Sequence, residues 1–305
     1  MLRYTLNRLV MSLLVALTVS LISFALLRLS GDLAAVLAGD DARPEQIAKV
    51  AREYGLDRPF LVQYADWVWR ALHGDLGRSV FTNEPVLELI LDRVGVTVAL
   101  SVASLLLALA VAVPLGVAAA ANANTWIDRA ALAFVVFSKA IPTFWFALIL
   151  IYYFSVQLRL LPISGNDTWA HYVLPTLALA VGIVPQLMRV TRSGMLDVLE
   201  ADYIRTAWAK GLQPRTVLFK HALRNAILPV VALSAVSLGF LLGGSVIIEA
   251  IFALRGIGSL AFESIRRADF PVVQSILFFL ALAYIVLTTL ADIINARLDP
   301  RIRIG

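Results

Sequence analysis

The sequence predicts an all-α integral membrane protein of six transmembrane helices with both termini cytoplasmic, and three observations carry that prediction. Of the 305 residues, 60% are hydrophobic and only 15% charged, against about 25% charged in soluble globular chains. Mean hydropathy is +0.83, and the apolar residues gather into runs near the ~20 residues that a bilayer span needs. The cations, which contribute to a net charge of +5, concentrate in alternate short loops, as the positive-inside rule requires.

The first run, residues 9–27, lies between Arg8 and Arg28 and carries nothing more polar than Ser and Thr. A cleaved signal peptide has a shorter apolar core of ~7–15 residues with a small-residue cleavage site directly behind it. This run is longer and closes on Arg28, so residues 1–29 are read as a retained first span. Residues 30–93 read as an extracytoplasmic helical cap. Pro44 opens one helix there and Gly55 stops it; Asp57 is placed to N-cap a second, with Pro59 in its first turn and Gly74 past its end. Phe60, Tyr64, Trp67, Val68 and Leu72 recur at helical spacing and, with Trp69, belong near the lipid interface. A lid packed on the bundle and a docking surface for a partner fit this segment equally and are compatible. Residues 94–305 form a five-helix core, with apolar runs at 94–121, 130–156, 172–190, 226–248 and 272–294 and a hydrophilic inner loop at about 189–225.

Orientation follows from the loops. With the N-terminus inside, the cytoplasmic pieces hold Arg3 and Arg8, then Arg129, then Arg189, Arg192, Arg205, Lys210, Arg215, Lys220 and Arg224, then Arg297, Arg301 and Arg303. The two short outside loops hold Arg159, Arg255, Arg266 and Arg267. The long 30–93 segment counts little in this rule.

Proline or glycine interrupts most spans: Pro114 and Gly116, Pro142, Pro175 and Pro185, Pro229, Gly239 with Gly243 and Gly244. Each frees backbone groups that lipid cannot satisfy, or lets helices approach closely. Lys139 is the one cation deep in a span, about 12 residues past Ile127 and hence ~18 Å along the helix. An ammonium there costs ~2.5–3.5 kcal/mol on insertion scales, so it faces a watery path or pairs with an acid of another helix or subunit. Gln186 on the fourth span is a weaker path residue of the same kind.

Several chemistries are excluded. There is no cysteine, and His73, His171 and His221 lack metal-ligand spacing. Lys49, Lys139, Lys210 and Lys220 each follow a residue other than glycine, so no phosphate-binding loop is present. Ser245 lies near the outer end of its helix while His221 is cytoplasmic, which disfavours a serine hydrolase. The chain is therefore read as non-enzymatic, without a cofactor or metal of its own. A stand-alone secondary transporter or channel remains the rival, although the mid-span regions hold no Asp or Glu; Asp292 and Glu249 stand near span ends.

The inner loop reads DYIRTAWAKGL at 202–212 and KHALRNAILPV at 220–230. Cations and apolar residues alternate at helical spacing around a break at Gly211 to Pro214, where Gly211 can end one short helix and Pro214 start the next. From these residues alone, a surface gripped by a cytoplasmic partner and a basic face against anionic headgroups are equal readings. The wording resembles the cytoplasmic loop of permease subunits in bacterial ABC importers of the dipeptide/oligopeptide/nickel branch. YGLDRPFLVQY at 54–64, GDLGRSVFTNEPV at 74–86, IPTFW at 141–145, LLPISG at 160–165, FLLGGSVIIE at 240–249, RADFPVVQS at 267–275 and LDPRIR at 298–303 extend the resemblance nearly end to end. Two departures stand. Arg205-Thr206-Ala207 occupies the place of the general Glu-Ala-Ala, with Pro229 later than that pattern has it, and Gly31-Asp32 is followed by Leu33 rather than proline.

The resemblance implies a type I importer permease in the bacterial inner membrane, forming half of a translocation path for short peptides, with nickel, glutathione-like and opine-like cargo open. It implies a second homologous permease, two ATPase subunits that bind ATP and Mg, an extracytoplasmic substrate-binding protein, surrounding lipid, and no nucleic acid. It places the ATPase contact on Asp202, Tyr203, Arg205, Thr206, Ala207, Lys210 and Gly211.

Overall fold

A computed structural model describes residues 2–30, 33–39, 42–53 and 55–298. The altered Gly31-Asp32 step and the tail of the last motif lie outside those residues. The first span is α1 (Leu2–Ser30), and the cap comprises α2 (Leu33–Ala38), α3 (Pro44–Glu53) and α4 (Phe60–Leu72). The core follows as α5 (Val86–Ala121), α6 (Trp126–Ala140), α7 (Thr143–Leu150), α8 (Ala170–Leu199), α9 (Asp202–Ala209), α10 (Leu223–Ala226), α11 (Leu228–Gly244), α12 (Val246–Ile251), α13 (Ile257–Arg266) and α14 (Phe270–Leu298). Two segments, Ile151–Gln157 after α7 and Thr216–Ala222 before α10, are π-helical. The isolated bridge between Arg78 and Pro85 is the one β pairing among the described residues.

Windows in α1, α5, α8 and α14 are each long and apolar enough to cross a membrane, and two bent pairs complete six. The third apolar run is not one straight helix: α6 and the Thr143–Gln157 segment meet at 94°. Pro142 is the cause, since it disfavours helix in the residue before it and Ile141 is extended, with φ −92° and ψ 120°. The fifth span bends by 57° between Thr216–Ala226 and α11.

The bundle is organised around α5 and α8, the most extensive helix pairing. Ala108, Ala112, Gly116 and Ala120 fall every fourth residue on α5, a small-residue stripe that lets the backbones close up. At Gly116 a side chain would meet Thr191 Cβ at 2.6 Å. Leu100 of α5 and Leu174, Leu179, Ile183 and Leu187 of α8 belong to the main buried core around this pair. α1 lies against α14, tied at its inner half by Ser12 and Thr289 hydroxyls 2.7 Å apart and by an Arg8–Asp292 ion pair.

In the cap, α4 begins at Phe60 with Pro59 at the capping position and no side-chain cap, so Asp57 does not serve as its N-cap. The turn is held instead by Gln63, whose Nε2 donates to the carbonyls of Leu56 and Arg58. Phe24 of α1 meets Phe60, Tyr64 and Trp67 at 5.4, 5.5 and 6.1 Å between centroids, and Trp67 meets Phe278 of α14 edge-on at 5.3 Å. The cap is thus packed on the outer ends of the first and last spans.

Candidate coupling hairpin at the inner face

The amphipathic spacing of α9 sets its two faces. Ile204 and Ala207 are buried against Val117 and Ala120 of α5, Met195 of α8, Val217, and Ala222 with Ala226. Residues Asp202, Tyr203, Arg205, Thr206, Trp208 and Lys210 are exposed. Ala207, expected among the contact residues, therefore supports the helix from beneath. Trp208, which the sequence reading passed over, stands on the outer face, 44% exposed like Tyr203.

The end of α9 is built by main-chain geometry. Gly211 has φ 73°, its N–H donates to Trp208 O at 2.9 Å, and the Leu212 N–H donates to Ala207 O at 3.4 Å. These are the paired bonds of a Schellman end, where a left-handed glycine closes the helix. A Cβ at Gly211 would meet nothing within 4 Å, so the glycine is needed for its backbone and not for space. On the outer face Asn225 Nδ2 donates to the Tyr203 hydroxyl at 2.7 Å, fixing that ring, and Thr206 Oγ1 donates to Asp202 O. Arg205 and Asp202 approach only to 3.5 Å, both largely in water. Such an exposed pair contributes little, so both charges remain available to a partner.

The hairpin sits on a tightly joined base. A Cβ at Gly194 of α8 would lie 2.8 Å from the Ala226 carbonyl. Arg192 of α8 donates from Nε and Nη2 to the two carboxylate oxygens of Asp128 in α6, at 2.6 and 2.7 Å. Asp128 also accepts the Asn124 N–H at 3.0 Å, which ties the α5–α6 turn to the pair. Nothing in the sequence links positions 128 and 192.

Lys139 and Gln186 are apart from this hairpin. Lys139 is in the last turn of α6, at the corner before Pro142, and Gln186 is on α8; both side chains are exposed on the single chain. Lys139 forms no ion pair among the described residues.

At the opposite end, Glu249 of α12 is fully buried. Its Oε1 accepts from the Thr97 and Ser245 hydroxyls at 2.8 Å each, and its Oε2 from the Ser259 N–H at 3.0 Å. A Cβ at Gly258 would lie 2.8 Å from Glu249 Oε2, so that glycine leaves the carboxyl group its room. This network joins α5, α12 and α13. Position in the span reveals the residue; Ser245 and Ser259 are near it in sequence, and Thr97 comes from 152 positions away.

Among the described residues, no group of three His, Cys, Asp or Glu side chains is placed to hold a metal ion. Residues 112–304 match the model of the binding-protein-dependent transport system inner membrane component, and residues 1–101 match its N-terminal companion. The probable peptide ABC transporter permease protein y4tP of Sinorhizobium fredii is 39% identical over 98% of this chain and 99% of its own. The glutathione transport system permease protein GsiC of Salmonella typhimurium is 38% identical over 99% of each. Among solved structures, the methionine ABC transporter MetNI in an inward-facing conformation aligns with a TM-score of 0.61 at 21% identity, over 71% of this chain and 99% of that one. An amino acid ABC transporter crystallised with histidines gives 0.51 at 16% identity, over 69% and 94%.

Proposed function

The chain belongs to the inner membrane components of binding-protein-dependent transport systems, and from that premise we propose that it imports short peptides and meets its ATPase through the outer face of α9. It is a multi-pass, non-catalytic permease subunit of an ABC importer. A second homologous permease completes the path, two ATPase subunits carrying ATP and Mg dock beneath, and an extracytoplasmic binding protein delivers cargo at the cap side. Peptide cargo rests on the full-length relatives, a probable peptide permease and a glutathione permease.

One observation supports the coupling assignment above all. α9 presents charges and two aromatic rings outward while its inner face is packed on the ends of α5 and α8 and the approach to α11. ATP closure of the ATPase pair favours one state of the bundle by offering contacts available only there. Asp202, Arg205 and Lys210 supply charge-assisted bonds, Tyr203 and Thr206 the flanking surface, and Gly211 the turn.

Gly211→Pro tests this. Proline is fixed near φ −65° and has no N–H, so it removes the Trp208 bond and the left-handed end without touching the bundle. The tagged permease should still purify as a folded chain but recover less ATPase by about tenfold, a difference of ~1.4 kcal/mol in docking. Unchanged co-purification and ATP-driven uptake would overturn the assignment.

Lys139 is proposed to line the path, where its ammonium meets an anionic group of the cargo. Lys139→Met should depress uptake of an anionic peptide while leaving the assembled complex intact. Equal uptake by a normally assembled variant would remove the role.

A further inference from the structure

A cavity of about 590 Å³ lies between the cap and the outer ends of α1 and α14, within the ~300–1,000 Å³ usual for small-molecule sites. Its described lining carries four guanidinium groups, Arg28, Arg58, Arg70 and Arg78, against the two carboxylates Asp66 and Asp75. Arg58 is engaged by Asp66 at 3.0 Å and Arg78 donates to the Asn83 carbonyl at 2.7 Å, whereas the Arg70 guanidinium has no polar partner among the described residues and Arg28 rests over the Phe24 ring at 5.0 Å. Gln274, 93% buried by its 7% exposure, lines the same cavity, and among the described residues its Nε2 has no hydrogen-bond partner, nor has the Oε1 of Gln63 beside it in the lining. A buried amide donor without an acceptor is costly, and here it belongs to a cavity richer in guanidinium than in carboxylate.

The cavity lies at the level where the apolar spans end. The apolar window of α1 ends at Leu26, two residues below Arg28, and that of α14 starts at Phe270, which itself lines the cavity. Trp67 lines it too, within the aromatic cluster that joins α1, α4 and α14. Aromatic rings of this kind mark the headgroup level, and guanidinium forks match phosphate oxygens. We propose that this cavity holds the phosphate of an anionic phospholipid of the outer leaflet, with Arg28 and Arg70 as its principal ligands and Gln274 as an additional donor. The bound lipid fastens the cap to the first and last spans, independently of how the inner hairpin couples.

The test uses the full-length chain in nanodiscs of phosphatidylglycerol mixed with phosphatidylcholine, with the lipid retained after detergent extraction counted by native mass spectrometry. The wild-type chain should keep phosphatidylglycerol over phosphatidylcholine, and Arg28→Gln/Arg70→Gln should keep about tenfold less. Asp66→Asn, which frees Arg58, should keep more, an increase that a merely structural role of these residues would not produce. Equal retention of both lipids, or retention unaltered in both variants, would overturn the proposal. Displacement of the lipid by millimolar inorganic phosphate would assign the cavity to a free anion and overturn the lipid source.

Discussion

Asp128→Ala is expected to lower the melting temperature of the purified chain more than any substitution on the outer face of α9. The carboxylate is almost fully buried, 4% exposed, and takes both bonds of the Arg192 fork, whose side chain is 23% exposed. Removing it leaves a partly buried guanidinium without its counter-charge and frees the Asn124 N–H. Breaking a buried pair from one side costs ~3–5 kcal/mol, and the partial exposure of Arg192 places this case near ~3 kcal/mol. The double variant Asp128→Leu/Arg192→Leu should regain much of the loss, because replacing both charges by apolar groups is often neutral. A double variant no more stable than Asp128→Ala would show that the damage comes from packing rather than the orphaned cation. Thermal unfolding in detergent, followed by tryptophan emission, checks both.

The second large effect is expected at the outer end. Glu249→Ala strips the acceptor from the Thr97 hydroxyl, the Ser245 hydroxyl and the Ser259 N–H at once. Each buried polar group left unsatisfied costs ~1–3 kcal/mol, and the removed side chain adds a cavity beside Gly256 and Gly258. The expected loss is several kcal/mol in sum, about 3 or more, with α13 released from α5. Glu249→Gln keeps the shape and, with its carbonyl toward the Ser259 N–H, that acceptor; its NH2 then makes the Thr97 and Ser245 hydroxyls accept and leaves their protons without the carboxylate, so it should fall between wild type and alanine. Limited proteolysis at the α12–α13 turn, with yield of the folded chain, reads the order; a glutamine variant as unstable as alanine would mean that shape contributes nothing.

The six apolar runs are legible because hydrophobic length is a property of contiguous residues. The end of α9 is legible for the same reason, since Gly211 and Pro214 act within their own turn. Pro142 announces a break, but the 94° between its flanking helices is set by what α6 and α7 pack against, chiefly α8. The faces of α9 were only half readable: its spacing separates two sides, yet which side is buried depends on Met195 and Val217, and so Ala207 was grouped with residues it lies beneath. Asp128 with Arg192, and Glu249 with Thr97 and Ser259, are pairings across 64, 152 and 10 positions. No periodicity reports such partners. Glu249 drew notice only as an acid too close to a span end to carry protons, whereas its environment is that of a clamp.

The close contacts under α9 have a mechanical consequence. A machine that passes on a stroke wastes whatever play there is in its joints. Here Gly116 leaves no room for a methyl group between α5 and Thr191, and Gly194 leaves none against the Ala226 carbonyl. A displacement of α8 would therefore carry α5 and the foot of α11 with it. α1 meets that linkage only through α14, which is itself packed on α11 so closely that a Cβ at Gly239 would lie 2.5 Å from Tyr284 Cδ2. Even a single added methyl at either glycine would act as a loosened bearing, separating two parts that must move as one.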